Sequence, residues 1–248
     1  MKKLAFMMVL CAGMLGCQAE CPEVKCDCAD APQTENAATP KAAEANDQAA
    51  AKENAEVVKA EGETIALPPM QPVTTTLTQT LQARKSTRQY GEGMIALQDL
   101  SNLLWSANGI NREDGKRTAP SARNMQSVSI YVAFETGAYL YDFKAHQLNR
   151  VTETDIRTIK EAPLELVFVS NHNGPEGAEQ TPQQALDSAL IRGIDAGTAS
   201  QNAALYCAAA DLATVIRMYR NVTPETRAAL QLTEQDHMLF FMPVGKMK

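Results

Sequence analysis

Arg84-Lys85-Ser86-Thr87-Arg88 puts two guanidiniums, an ammonium and two hydroxyls into five residues. That many donors in so short a run suit a phosphorylated or otherwise anionic ligand, because charge-assisted bonds to oxyanions are among the strongest a side chain makes. A basic run at a helix end is also a common solvated face that complements the helix dipole. The other reactive residue types offer less. His146, His172 and His237 are scattered without ligand-like spacing, so neither a zinc site nor a catalytic triad is expected. Cys207 sits among alanines and reads as a buried core thiol. Ser121 lacks the sequence context of a nucleophile elbow.

The elements around the basic run are legible by period. Thr75 to Ala83 can form a short helix leading into it, and Ala96 to Ala107 places Leu97, Leu100, Leu103 and Leu104 on one face, with Asn108-Gly109 as a stop. Pro120 opens a loop. Val128 to Phe134 and Ala138 to Phe143 flank Glu135-Thr136-Gly137 as a hairpin, and Leu164 to Ser170 reads as a central strand. Thr181-Pro182-Gln183-Gln184 has the form of a capping box, so a helix starts there, with a break expected at Gly193. Asp195 to Met218 then reads as a long helix whose many alanines imply burial or close packing against another subunit. Thr223-Pro224-Glu225 caps a last helix, and Met238 to Val244 is a final strand. The order is α+β rather than regular βαβ.

The start of the chain suggests a compartment. Lys2 and Lys3 precede an apolar run, Leu4 to Leu15, that is short for a permanent span and reads as a secretory signal over residues 1–16. Met14-Leu15-Gly16-Cys17 resembles the bacterial lipobox, which would make Cys17 a lipidated first residue, and Gln18 behind it leans towards outer-membrane sorting, with the domain in periplasm or exterior. An ordinary cleaved signal with a coincidental cysteine is the alternative. Cys21, Cys26 and Cys28 match no metal or haem spacing, and an oxidising envelope favours a disulfide among them. Residues 17–72 read as a tether too poor in large apolar residues to fold, leaving 73–248 as one domain. From Ala29 to Glu63 eight acids face three lysines, a net of −5 within the chain's −6, so the domain is near neutral and nucleic-acid binding is not expected.

Three stretches carry a family resemblance. Arg84-Lys85-Ser86-Thr87-Arg88-Gln89-Tyr90 resembles the N-terminal Arg-x-Ser-x-Arg/Lys-x-aromatic motif of the FMN-dependent nitroreductases. Pro120-Ser121-Ala122-Arg123-Asn124-Met125-Gln126 resembles their Pro-Ser-x-x-Asn-x-Gln flavin loop, and Asp195-Ala196-Gly197 with Gln201-Asn202 resembles their core-helix signature. Leu103 to Ile110 and Tyr139 to Asp142 are similar to the branch that includes thiazole/oxazole-forming dehydrogenases. The resemblance implies a mostly antiparallel sheet flanked by helices, a homodimer with FMN at its interface, and two-electron transfer to or from a small-molecule substrate through flavin N5. It assigns Arg84 and Ser86 to the phosphate or ribityl chain, Arg88 to the pyrimidine edge, Asn124 to the flavin ring, and Ser121 and Gln126 to lining or shaping the site. The chain departs from the family at Val128, where an aromatic is common, at Asp211, where glycine is usual, and at its end, which lacks the basic tail. Arg217, placed on the long helix, or Lys246 would take over the tail's role. Two other readings remain open: a tethered flavin- or ligand-binding module without turnover, and an electron carrier fed by Cys21, Cys26 and Cys28.

Overall fold

In the computed structural model the described residues are 56–172, 181–220 and 222–248, all within one unit, Ala42–Lys248. The signal segment, Cys17, Cys21, Cys26, Cys28 and most of the expected tether lie outside the described residues. The chain runs β1 (Thr64–Ala66), α1 (Leu77–Ala83), α2 (Leu97–Asn108), β2 (Val128–Phe134), β3 (Gly137–Asp142), β4 (Gln147–Thr152), β5 (Leu164–Ser170), α3 (Pro182–Ala209), β6 (Leu212–Thr214), β7 (Arg217–Met218), α4 (Pro224–Ala229) and β8 (His237–Lys246). These strands form one sheet in the order β1-β4-β3-β2-β5-β8-β6, and β7 pairs a further stretch of β8. The strand pairs are antiparallel throughout. The expected α+β architecture, a mostly antiparallel sheet with flanking helices, is what the chain adopts.

Strand β5 is buried along its whole length because both of its faces are covered. Leu164, Leu166 and Phe168 join the larger core with Leu100, Leu103 and Leu104 of α2 and Ala196, Ala199 and Ala203 of α3, while Val167 and Val169 join a smaller core under Leu230. The three α2 leucines are fully buried, and each contributes about 1.5–3 kcal/mol relative to exposure. Alanines on α3 let that helix lie close against the sheet.

Two expectations are corrected. The chain is packed from residue 56, not from about 73. Thr64–Ala66 pairs the outer edge of β4, and Val58, Ile65 and Leu67 are buried. The carbonyl of Glu56 accepts the first N–H of α2, from Leu97 at 2.7 Å, where Ala96 offers no side-chain cap. Three apolar residues spaced through a polar segment were diluted by its overall composition, and β4, whose edge they cover, was itself missed.

Helix α3 is unbroken through Gly193 but stops at Ala209 instead of running to Met218. Gly193 costs a helix interior about 1 kcal/mol relative to alanine, and packing of the helix against the sheet outweighs this. The stop comes at Asp211, which adopts φ 58° and turns the chain so that Leu212–Thr214 can pair Lys246–Val244 on β8. It is a left-handed position, which a glycine would adopt without strain.

Candidate functional site

The loop after α2 is wound tightly. Arg123, Asn124 and Gln126 take φ of 50°, 56° and 51°, left-handed values that cost a non-glycine residue free energy and persist only where the surroundings hold them. The restraints are on both sides. Asp195, buried in the middle of α3, accepts the Ala122 N–H with both carboxylate oxygens at 3.1 and 3.2 Å. Ser121 Oγ accepts the Gln126 N–H at 3.0 Å, and Gln126 Nε2 donates to Gly115 O at 3.1 Å and Asn124 Oδ1 at 3.2 Å. Ser121 and Gln126 therefore shape the loop, and Asn124 is displayed at its exposed crown. Asp195 caps no helix, since α3 continues on both sides of it. Burial pushes its carboxyl up, opposed by the Ala122 N–H and by the charge of His172.

The basic run is held as firmly. Arg84 caps α1 through its N–H to Thr80 O at 2.9 Å, and the Thr87 N–H donates to Thr214 O on β6 at 2.8 Å. Gly91 N–H donates to Lys246 O at 2.9 Å, and a Cβ at Gly91 would stand 2.7 Å from Met247 O, so the close approach requires glycine. The backbone is thus fixed while Arg84, Lys85, Ser86 and Arg88 remain exposed. Neither Arg84 nor Arg88 makes an ion pair among the described residues. Arg217 lies on β7 and not on the long helix, with its guanidinium carbon 5.7 Å from the Phe241 ring centroid. It stays near the run: burial raises the Tyr90 phenol, and the charges of Arg217 and Arg88 both oppose that rise.

The two groups stand at different levels of α3. Asp195 fixes the Asn124 loop, whereas Lys85 and Thr87 share a small cavity with Ala204 and Ala208. At 1.5 Å per residue those levels are about 14–20 Å apart along the axis. One chain does not bring Asn124 and the Arg84–Arg88 run together. The outward surface of the same helix carries Leu186, Leu190 and Ile194 at 53%, 55% and 62% exposure, and α1 adds Leu77 and Leu81 at 68% and 53%. A four-residue spacing sets the first three on one stripe.

Sequence reasoning passed over Glu165, although a lone acid inside Leu164–Ser170 was the visible signal. Its side chain is fully buried; Oε2 accepts the N–H groups of Thr158 and Ile159 at 3.0 and 3.2 Å, and Oε1 accepts the Tyr219 hydroxyl at 3.1 Å. Burial raises the carboxyl above its usual 4.5, and those donors only partly offset the rise. Because the folded state holds the proton more tightly than the unfolded one, the stability it contributes is fully present below about pH 4.5. That contribution is lost as pH climbs through the raised folded-state value. Glu165→Gln, neutral at every pH, should therefore gain on the wild type as pH rises from 4 to 8 and level off once the wild-type carboxylate is ionised. Urea midpoints across that range measure the gap; a gap independent of pH would contradict the assignment.

The sequence model described as the Nitroreductase family matches residues 81–246. A Methanocaldococcus jannaschii protein, named provisionally as a nitroreductase, is 28% identical over 183 residues, spanning 66% of this chain and 87% of that protein. A Ralstonia eutropha protein of known crystal structure, likewise described provisionally as a nitroreductase, is 33% identical with a TM-score of 0.68, over 78% of this chain and 94% of its own. One from Anabaena variabilis shares the fold at 18% identity and a TM-score of 0.54, over 68% of this chain and 37% of that one.

Proposed function

This chain belongs to the nitroreductase family, and from that premise we propose that it is an FMN-dependent oxidoreductase whose flavin sites form between two copies of the chain. The observation that carries the reading is the separation of the two polar groups along α3 beside an unpartnered apolar stripe. A two-fold axis crossing α3 between the Asp195 and Ala204–Ala208 levels would set the Asn124 loop of one copy against the Arg84–Arg88 run of the other. It would also cover Leu186, Leu190 and Ile194.

The residues fit the group. Arg84 and Ser86 are free to hold a phosphate or ribityl chain, with Arg217 as a further cation. Arg88 is suited to the pyrimidine edge, where a cation stabilises the negative charge that reduction adds. Asn124, on its strained loop, presents an amide able to donate and accept at the ring. Bound there, FMN would supply two-electron chemistry with a small-molecule substrate, and the chain's part is to bind, orient and tune it.

The proposal extends to the rest of the chain. Cys17 would carry a lipid anchor, and residues 18–55 would tether a domain beginning near Glu56 to the cell envelope, outside the cytoplasmic nicotinamide pool. Among the described residues no helix is long and apolar enough to cross a membrane. The branch of the thiazole/oxazole-forming dehydrogenases is the preferred placing within the family, because such enzymes oxidise their substrate and need no nicotinamide donor.

The test is the absorbance of the purified full chain, followed by anaerobic reduction and addition of a quinone or nitroaromatic acceptor. A flavin spectrum that bleaches and recovers with acceptor is the expected result. Flavin that binds without turning over would make the chain a binding module instead. A colourless chain unable to take up FMN would refute the cofactor assignment.

A further inference from the structure

Between β2 and β3 the ladder stops early. Paired residues run from Phe134↔Gly137 to Tyr131↔Leu140, whereas β2 begins at Val128 and β3 ends at Asp142. Where the strands part lies a cavity of about 290 Å³, lined in part by Arg117, Ser129, Ile130, Leu140 and Tyr141. It is built around a buried cation. Arg117 is only 6% exposed, and its guanidinium carbon sits 3.5 Å from the Phe143 ring centroid. One terminal nitrogen donates to Val128 O at 3.1 Å, a carbonyl that Asn108 Nδ2 already holds at 3.0 Å. The buried Nε has no partner, and no carboxylate pairs with this guanidinium among the described residues.

A guanidinium taken out of water without a counter-ion is expensive to keep. Burial brings Arg117 down to about 10, so it is still charged at neutral pH. The acid that lines the cavity, Asp142, has Oδ1 committed to the N–H groups of Lys144 and Ala145 at 2.8 and 3.1 Å. Lys144 adds a second positive charge to the lining. Two cations against one carboxylate leave the lining with a net positive charge, and Ser129 and Asn149 add hydrogen-bonding groups.

We propose that this cavity binds a small oxyanion, a carboxylate- or phosphate-bearing molecule that pairs with Arg117 in the gap where β2 and β3 part. Its volume stands near the lower end of small-molecule pockets, roughly 300–1,000 Å³, so the ligand is of the size of a simple aromatic or amino acid and smaller than a nucleotide. The site is independent of the flavin reading, since it draws on none of the residues assigned to FMN.

Thermal unfolding of the full chain with sodium benzoate or inorganic phosphate, each against sodium chloride at equal ionic strength, tests it. The expected result is a saturable rise in Tm of about 5 °C at large excess. Ser129→Asp, which places a carboxylate in the cavity, should abolish the response, and Arg117→Met should abolish it if that variant folds. A benzoate response lost in Ser129→Asp assigns the site to carboxylates; a phosphate response lost in that variant assigns it to phosphates. A response that Ser129→Asp retains belongs to another part of the chain, such as the Arg84–Arg88 run, and overturns the proposal. So does the absence of any response beyond chloride.

Discussion

Replacing Arg84 and Arg88 together by alanine is expected to leave a folded protein that no longer binds FMN. Each charge-assisted hydrogen bond contributes about 1.5–3 kcal/mol, so two lost together weaken binding by roughly 10²–10⁴-fold. Folding should scarcely change, because both side chains are exposed and unpaired among the described residues while the run is held by backbone bonds at Thr87 and Gly91. Surface changes of this kind shift stability by about 0.5 kcal/mol or less. Quenching of FMN fluorescence on titration reads the affinity, and a urea midpoint reads the fold. Retained micromolar binding with an unchanged midpoint would remove the run from the site. Arg88→Lys separates charge from geometry: it should keep much of the affinity, since a cation remains near the electron-rich edge, but lose the planar fork.

What could be read beforehand follows the range of the forces involved. Thr181 caps its helix through the expected capping box, and β2 and β5 begin and end at the expected residues, because caps and short apolar runs between turns are local. The end of α3 was not legible: Leu212–Thr214 looks helical until β8, some thirty residues later, offers it an edge. The packed segment 56–67 was hidden for the same reason, its partners being β4 and the start of α2. At the site, residue types were recognisable but their division of labour was not. Within Leu103 to Ile110 the Trp105 indole donates to Ile110 O at 3.0 Å, and a Cβ at Gly109 would stand 2.5 Å from that ring. Tyr139 and Tyr141 likewise donate to, or pair with, Gly62 O and His146. Asp195 holds the Asn124 loop, a job visible only once the helix and the loop are side by side.

Leu190→Glu combined with Ile194→Glu should yield a monomer that has also lost its flavin. The two positions are 55% and 62% exposed in the single chain, so its own core loses nothing when they change. Across a two-fold contact they place four carboxylates in a desolvated seam, a cost of several kcal/mol that a modest interface cannot absorb. Light scattering after size exclusion gives the mass, and absorbance of the same peak gives the flavin. The coupling of the two readouts is what decides the matter. Every residue assigned to FMN lies outside the substituted positions, so a direct effect on the ligand is absent; flavin can be lost only because the Asn124 loop and the Arg84–Arg88 run no longer meet. A monomer that keeps FMN would mean that one chain builds the whole site, against the separation of those groups along α3. A persistent dimer would move the interface to another surface, with the exposed Leu77 and Leu81 of α1 as the next positions to charge.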